Sequence, residues 1–202
     1  EIGQDMGAAF KATLTDEPSL MSAFLSRMPY AVLPWSDGLA AEFERRRGYP
    51  LETELAALVI ADTPQAQRVR YDFWLTVTDM VRENFTQPIR DWCRAHNVPA
   101  GGHLLWEEGL RMHVPFYGSF FACMRDFDAP GIDCLTSLPP EVPWTIARLV
   151  SSVAELEGRS LTMSETSDHV QRYRPPGDER PVRRVSLGEM RGTLNRLMVG
   201  GI

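Results

Sequence analysis

Long apolar runs are missing from this chain. None approaches the roughly 18 residues that a membrane-spanning helix needs, so no membrane span is expected. Cysteine is scarce. Cys93, Cys123 and Cys134 make an odd number with no CxxC spacing, so buried free thiols are expected, and a Cys123–Cys134 bridge is possible but not indicated. Positive charge is in deficit: 21 Lys and Arg stand against 27 Asp and Glu, for a net charge of −6 and a pI near 5.3. That balance argues against nucleic acid or an anionic membrane surface as partner. There is no basic-plus-apolar leader, and the first residue is Glu1 rather than Met, so composition leaves the compartment open. Internal repeats and low-complexity tracts are absent as well. What remains is ordinary: 202 residues, 44% hydrophobic and 24% charged, enough for one domain over residues 1–202 with a real core.

The pattern alternates between short apolar runs and amphipathic segments. Residues 7–14 read as a strand ending at Asp16-Glu17-Pro18, where Pro18 biases Glu17 away from helix. Asp37 can cap a helix that Gly48 stops, and the basic run Arg45-Arg46-Arg47 reads as its solvated face. Residues 52–61 give a second short apolar segment. The strongest helix covers residues 65–96, with Val69, Phe73, Val77, Met80, Val81, Phe85, Ile89, Trp92 and Cys93 at steps of mostly three and four. Pro88 should kink or split it near Gln87. A strand over 101–106 follows and runs out at Glu107-Glu108. A short helix is expected before Phe127, Pro130-Gly131 reads as a turn, and Asp133 sits on a strand over 132–135. A helix over 144–157 and a strand over 161–164 lead to Glu165. Residues 171–184 suggest an excursion or lid. Ser186 and Glu189 form a capping-box pattern for a last helix, and Gly200-Gly201-Ile202 resembles the entry to a further strand.

Strands alternating with helices imply parallel strands and right-handed crossovers. A full (β/α)8 barrel needs about 250 residues. The expected fold is therefore an incomplete TIM-type barrel with the remainder missing at both ends. The rival is a compact open parallel α/β sheet.

In such a barrel, groups at the C-terminal strand ends converge although far apart in sequence. Glu17, Glu107 and Glu165 each follow a strand-like run. Cleavage of a glycosidic bond requires a protonated carboxyl to serve the leaving oxygen and a second carboxylate to act as nucleophile or base. Their pKa values must be driven apart by environment. For any one of the three the plainer reading is a helix N-terminal acid that complements the dipole. Glu108 is the alternative to Glu107, because adjacent strand positions face opposite sides. Trp35 and Trp106 can serve as sugar-stacking platforms or as hydrophobic plugs. His103 can contact a sugar, or be a buried histidine bonded to backbone. His113, Phe116 and Tyr117 can line a pocket or belong to the core.

These residues also carry a resemblance. Thr15-Asp16-Glu17-Pro18, Leu33-Pro34-Trp35 and Phe43-Glu44-Arg45-Arg46-Arg47-Gly48-Tyr49 resemble the core of glycoside hydrolase family 106, the α-L-rhamnosidase-like proteins. Gly102-His103-Leu104-Leu105-Trp106-Glu107, Pro130-Gly131-Ile132-Asp133, Ser151-Ser152-Val153-Ala154 and Ser164-Glu165 continue it in the same order. The resemblance covers nearly the whole chain but only the middle of the family's catalytic barrel. It implies a (β/α)8 barrel, inverting hydrolysis of a terminal α-L-rhamnoside, a calcium ion near the sugar, and a periplasmic or secreted location. Carried over by position, Glu17 or Glu107 is the general acid and Glu165 the base. Asp16, Trp35, His103, Trp106, Glu108, Asp133 and His169 become candidates for substrate contact, with carbohydrate as the partner. The family's accessory β-domains fall outside this chain, so activity of this stretch alone is not implied.

Two other classes compete. A metal-dependent hydrolase would draw ligands from His103, Glu107, His113, Asp133 and His169, although their spacing matches no zinc pattern. A non-catalytic carbohydrate-binding or structural barrel fragment would keep Trp35 and Trp106 without a working acid–base pair.

Overall fold

The computed structural model describes residues 3–20, 32–60, 62–135, 138–140, 142–167 and 183–202. Four short strands form one parallel sheet: β1 (Thr13–Thr15), β2 (Ala100–Gly102), β3 (Ala129–Cys134) and β4 (Met163–Thr166). They lie in chain order, β1-β2-β3-β4, and curl into a half-barrel. This is the incomplete barrel expected from the alternating pattern, not an open sheet.

Side chains alternate across a strand, and the pairing register assigns the two faces. Leu14 aligns with Gly101, Gly101 with Ala129, Gly131 with Met163, and Asp133 with Glu165. These residues share the concave face. Met163 lies over both inner glycines. A Cβ on Gly131 would stand 2.5 Å from Met163 Cγ and 2.8 Å from the Gly102 carbonyl oxygen, so only glycine fits there. That close approach explains a departure from the sequence reading. Pro130-Gly131 looks like a turn, yet both residues belong to β3, where pairing with β2 and β4 overrides local turn preference.

The opposite face carries Ile132 and Cys134, which pack under α7 (Trp144–Leu156) against Ile146 and Val150. The main core lies between sheet and helices and includes Phe116, Phe120 and Phe127. Phe116 belongs to α5 (His113–Tyr117) and Phe120 to α6 (Phe120–Met124), two short helices where one was expected. All three cysteines are buried and free. α8 (Leu187–Gly200) begins with the expected capping box of Ser186 and Glu189. Gly200 ends that helix and Gly201 caps it in the left-handed region, in place of the strand entry expected there. No helix among the described residues is long and apolar enough to cross a membrane.

The long helical segment is split as Pro88 demands. Thr63 caps α3 (Pro64–Val81) by accepting the Ala66 N–H, a π-helical turn (Arg82–Thr86) follows, and α4 (Gln87–Ala95) leads down to β2. Pro88 lacks an N–H, and its ring crowds the carbonyl four residues back, within the π turn. At 1.5 Å per residue these 32 residues span about 48 Å. Strands of three to six residues match only the α4 end. α3 therefore rises past the C-terminal ends of the strands. There it packs with α1 (Leu39–Arg47), a 3-10 turn (Glu52–Glu54) and α2 (Leu55–Val59) around a second core that includes Phe43, Leu51 and Phe73.

Two details of α1 differ from the sequence reading. Gly38, not Asp37, occupies the N-cap, without a side-chain cap bond. Of the arginine run only Arg45 is a solvated face. Arg46 pairs with Glu42 and Glu83, and Arg47 donates to Thr76 and Asp79, so both tie α1 to the long helical segment.

Candidate active site

β1 ends at Thr15, whose carbonyl accepts the His103 N–H at 3.0 Å, one residue past β2. Asp16 and His103 are thereby brought side by side at the C-terminal rim. After His103 the chain leaves the strand sooner than the apolar run 101–106 suggests. Trp106 takes a left-handed φ of 58°, and the resulting turn folds Glu107 back beneath His103. Glu107 and Glu108 thus lie in a turn, and strand alternation does not govern them.

His103 is the centre of the cluster. Its Nε2 lies 3.0 Å from Glu165 Oε2 and 3.4 Å from Asp16 Oδ1. Its Nδ1 lies 3.5 Å from Glu107 Oε1 and 3.4 Å from the Leu104 carbonyl oxygen. The His103 side chain is 1% exposed and that of Glu107 0%, whereas Asp16 and Glu165 open to solvent. Burial alone would lower the His103 pKa, but the Glu107 and Glu165 carboxylates outweigh it and push the imidazole up to about 9.

Glu165 is inside β4 rather than beyond it, directly across from Asp133 of β3. Asp133 is half-buried. Burial and the charges of Glu107, Glu165 and Glu17 raise its carboxyl to about 7 against the opposing effect of His103. Glu17 is exposed on the segment after β1 with φ 43°. Partial desolvation, then the charges of Asp16 and Glu107, raise its carboxyl, while His103 and a hydrogen bond with Asp133 act the other way. Glu108 is solvent-accessible in a crowded recess, and desolvation followed by the nearby Glu107 and Glu17 charges raises it too.

The structure thus gathers Asp16, Glu17, His103, Asp133 and Glu165 at one rim. Glu107 belongs to the same cluster but has no open surface. Trp35 stands apart, exposed beside a cavity of about 640 Å³ lined by Pro18, Leu20, Trp35, Val81, Leu104 and Tyr117. The exposed Trp106 ring stacks on Phe116. His169 lies outside the described residues. Sequence reasoning missed Met163 as the floor beneath the acids, although the glycines of β2 and β3 signal that a bulky neighbour crosses there. It also missed the hub role of His103, which depends on Glu165, 62 residues later, and on Asp16, near the start of the chain.

Among the described residues, Asp16, His103 and Glu165 are the group close enough to share a cation. Calcium favours six to eight oxygen ligands. Here the central atom is a ring nitrogen already engaged by two carboxylates, and the set does not fit that ion. His113, one of the expected metal ligands, instead donates from Nε2 to the Glu107 carbonyl oxygen at 2.6 Å.

Carboxylates thus stand at the strand ends of a curled parallel half-barrel. No protein-family profile matches the chain. It is 27% identical over 158 residues to a Formosa agariphila protein named "Putative beta-glucuronidase", covering 77% of this chain and 12% of that protein. It is similar in fold to the structure of a rhamnosidase from Novosphingobium sp. PP1Y, with a TM-score of 0.62 and 21% identity over 95% of this chain and 17% of that one. The chain therefore spans a small part of the length of each relative.

Proposed function

We propose that this chain supplies part of the active site of a glycoside hydrolase that removes a terminal sugar by carboxylate acid–base catalysis. The observation that carries the reading is the placement of two accessible carboxyls, Glu17 and Glu165, around the His103 hub at the strand ends of the half-barrel. Between the two acid candidates of the sequence, Glu17 is the better supported. It is exposed and its pKa is raised, whereas Glu107 is sealed from the cleft.

In the proposed step Glu17 gives its proton to the glycosidic oxygen as the bond to the anomeric carbon breaks. A water oxygen bonds that carbon, and the water's proton passes to Glu165. This is the inverting scheme implied by the family resemblance. His103 Nε2, 3.0 Å from Glu165 Oε2, holds that carboxyl group in place. Asp16, Asp133 and Glu108 border the same recess and are assigned to the sugar hydroxyls. Trp35 and Trp106 offer ring faces, Trp35 at the mouth of the apolar cavity. An α-L-rhamnoside is the proposed substrate, with a β-glucuronide as the rival.

The test is hydrolysis of aryl α-L-rhamnosides and aryl β-glucuronides by wild type, Glu17→Gln and Glu165→Gln, with the first-formed anomer read by proton NMR. Each substitution should lower kcat by about 10²–10⁴-fold while the circular dichroism is unchanged, and the first product should be the inverted anomer. Near-wild-type rates in both variants would leave the acid–base assignment without support. Sugar binding with no turnover in the wild type would favour the non-catalytic carbohydrate-binding reading.

A further inference from the structure

Glu107 sits where a catalytic acid is expected, yet its side chain is 0% exposed. Its Oε1 accepts the Leu104 N–H at 2.8 Å and faces His103 Nδ1. Its backbone carbonyl is held by the buried His113. The left-handed turn at Trp106 is what swings it back toward a residue four positions earlier. So much fixing of a carboxylate that cannot touch substrate suits a role exercised through a neighbour.

We propose that Glu107 is a positioning residue: it grips His103 from the buried side and presents the ring's outer nitrogen to Glu165 and Asp16 in the cleft. Carboxylates stand at both ring nitrogens, Glu107 at Nδ1 and Glu165 with Asp16 at Nε2. A neutral imidazole has one N–H and can serve only one end, whereas the imidazolium donates at both. The ring is thereby a fixed cation between a buried anion and an open one. The titratable groups around it are Asp16 and Glu17 after β1, Glu107 in its own loop, Asp133 of β3 and Glu165 of β4. All are acidic. The raised pKa of His103, about 9, agrees with this geometry. The catalytic consequence rests on the reading of Glu165 as base, since the ring holds Glu165 oriented. The grip on His103 itself does not depend on that reading.

The experiment is NMR titration of the His103 imidazole in the wild type, Glu107→Gln and Glu107→Asp, followed by pH–rate profiles of the same proteins. In the wild type the ring should stay doubly protonated through pH 8. In Glu107→Gln its midpoint should fall by about one pH unit or more, and Glu107→Asp should recover part of that shift. On a cleaved substrate, kcat should drop about tenfold in Glu107→Gln with KM little changed, and the basic limb of the profile should move to lower pH. A wild-type midpoint at or below about 6.5 overturns the proposal and requires no variant to fold. A folded Glu107→Gln with an unchanged midpoint overturns it too. If the midpoints behave as stated while no sugar is cleaved, the catalytic reading fails and the positioning role stands.

Discussion

Asp133 is the residue whose environment can be read most directly from outside. It faces Glu165 across β3 and β4 on the concave side, and burial plus neighbouring carboxylates raise it to about 7. A carboxyl whose folded pKa lies above its unfolded value costs nothing below about pH 4 and progressively destabilises the fold as pH rises through 7. Asp133→Asn should therefore leave Tm nearly unchanged at pH 4 and raise it at pH 8. A constant offset at both values would mean that the carboxyl is not strained in the native cleft. Glu17, Asp133, Glu165 and His103 were all legible as candidates, because polar groups following strand-like runs stand out in sequence. The sealing of Glu107 was not. It follows from one left-handed residue, Trp106, and nothing about a tryptophan announces φ 58°.

Elements were legible in proportion to their length. The 3.6-residue periodicity marked the long helical segment, and Pro88 marked its break. The strands were harder. β2 is three small residues, Ala100-Gly101-Gly102, with no apolar alternation, and β3 contains a Pro–Gly pair that locally favours a turn. Both exist because parallel neighbours pair with them, which is information held elsewhere in the chain. One tertiary link is strong enough to test alone. Asp126, 2% exposed, accepts from Arg82 at 3.0 Å through both oxygens, from Arg90 at 3.0 Å and from Thr86 at 2.6 Å. It thereby ties the segment following α6 to the π turn and α4. Removing it strands the Arg82 guanidinium, leaves Arg90 with Asp91 alone and unpairs Thr86, so Asp126→Ala should cost about 3–5 kcal/mol in urea unfolding. A loss under about 1 kcal/mol would mean that the cluster behaves as an ordinary surface ion pair.

On the scale of the whole molecule, the core lies outside the curve of the sheet. Ile132 on the convex face is 0% exposed beneath α7, while Leu14 on the concave face is 52% exposed. Ile132→Ala should cost about 2–5 kcal/mol, whereas Leu14→Ala should change stability by no more than about 0.5 kcal/mol. Comparable losses at both positions, measured by denaturant midpoint, would place the core on the wrong side of the sheet. The fold class was legible at this scale because strand and helix segments alternate along the chain. The helical layer above the rim was not, since its separate core is closed over α3 by α1 and α2, whose patterns are short and individually weak. The π turn that joins this layer to the barrel sets a phase relation between them. Losing one residue from the turn would restore ordinary helical winding there. Losing one residue from the last turn of α3, by contrast, would twist the upper layer by about 100° against the barrel and draw it about 1.5 Å closer, parting Arg46 of α1 from Glu83 of the π turn. Related chains can therefore vary freely in the loops of this layer and can lose one residue within 82–86, but single-residue gaps within the last turn of α3 should be selected against unless a compensating insertion restores the angle.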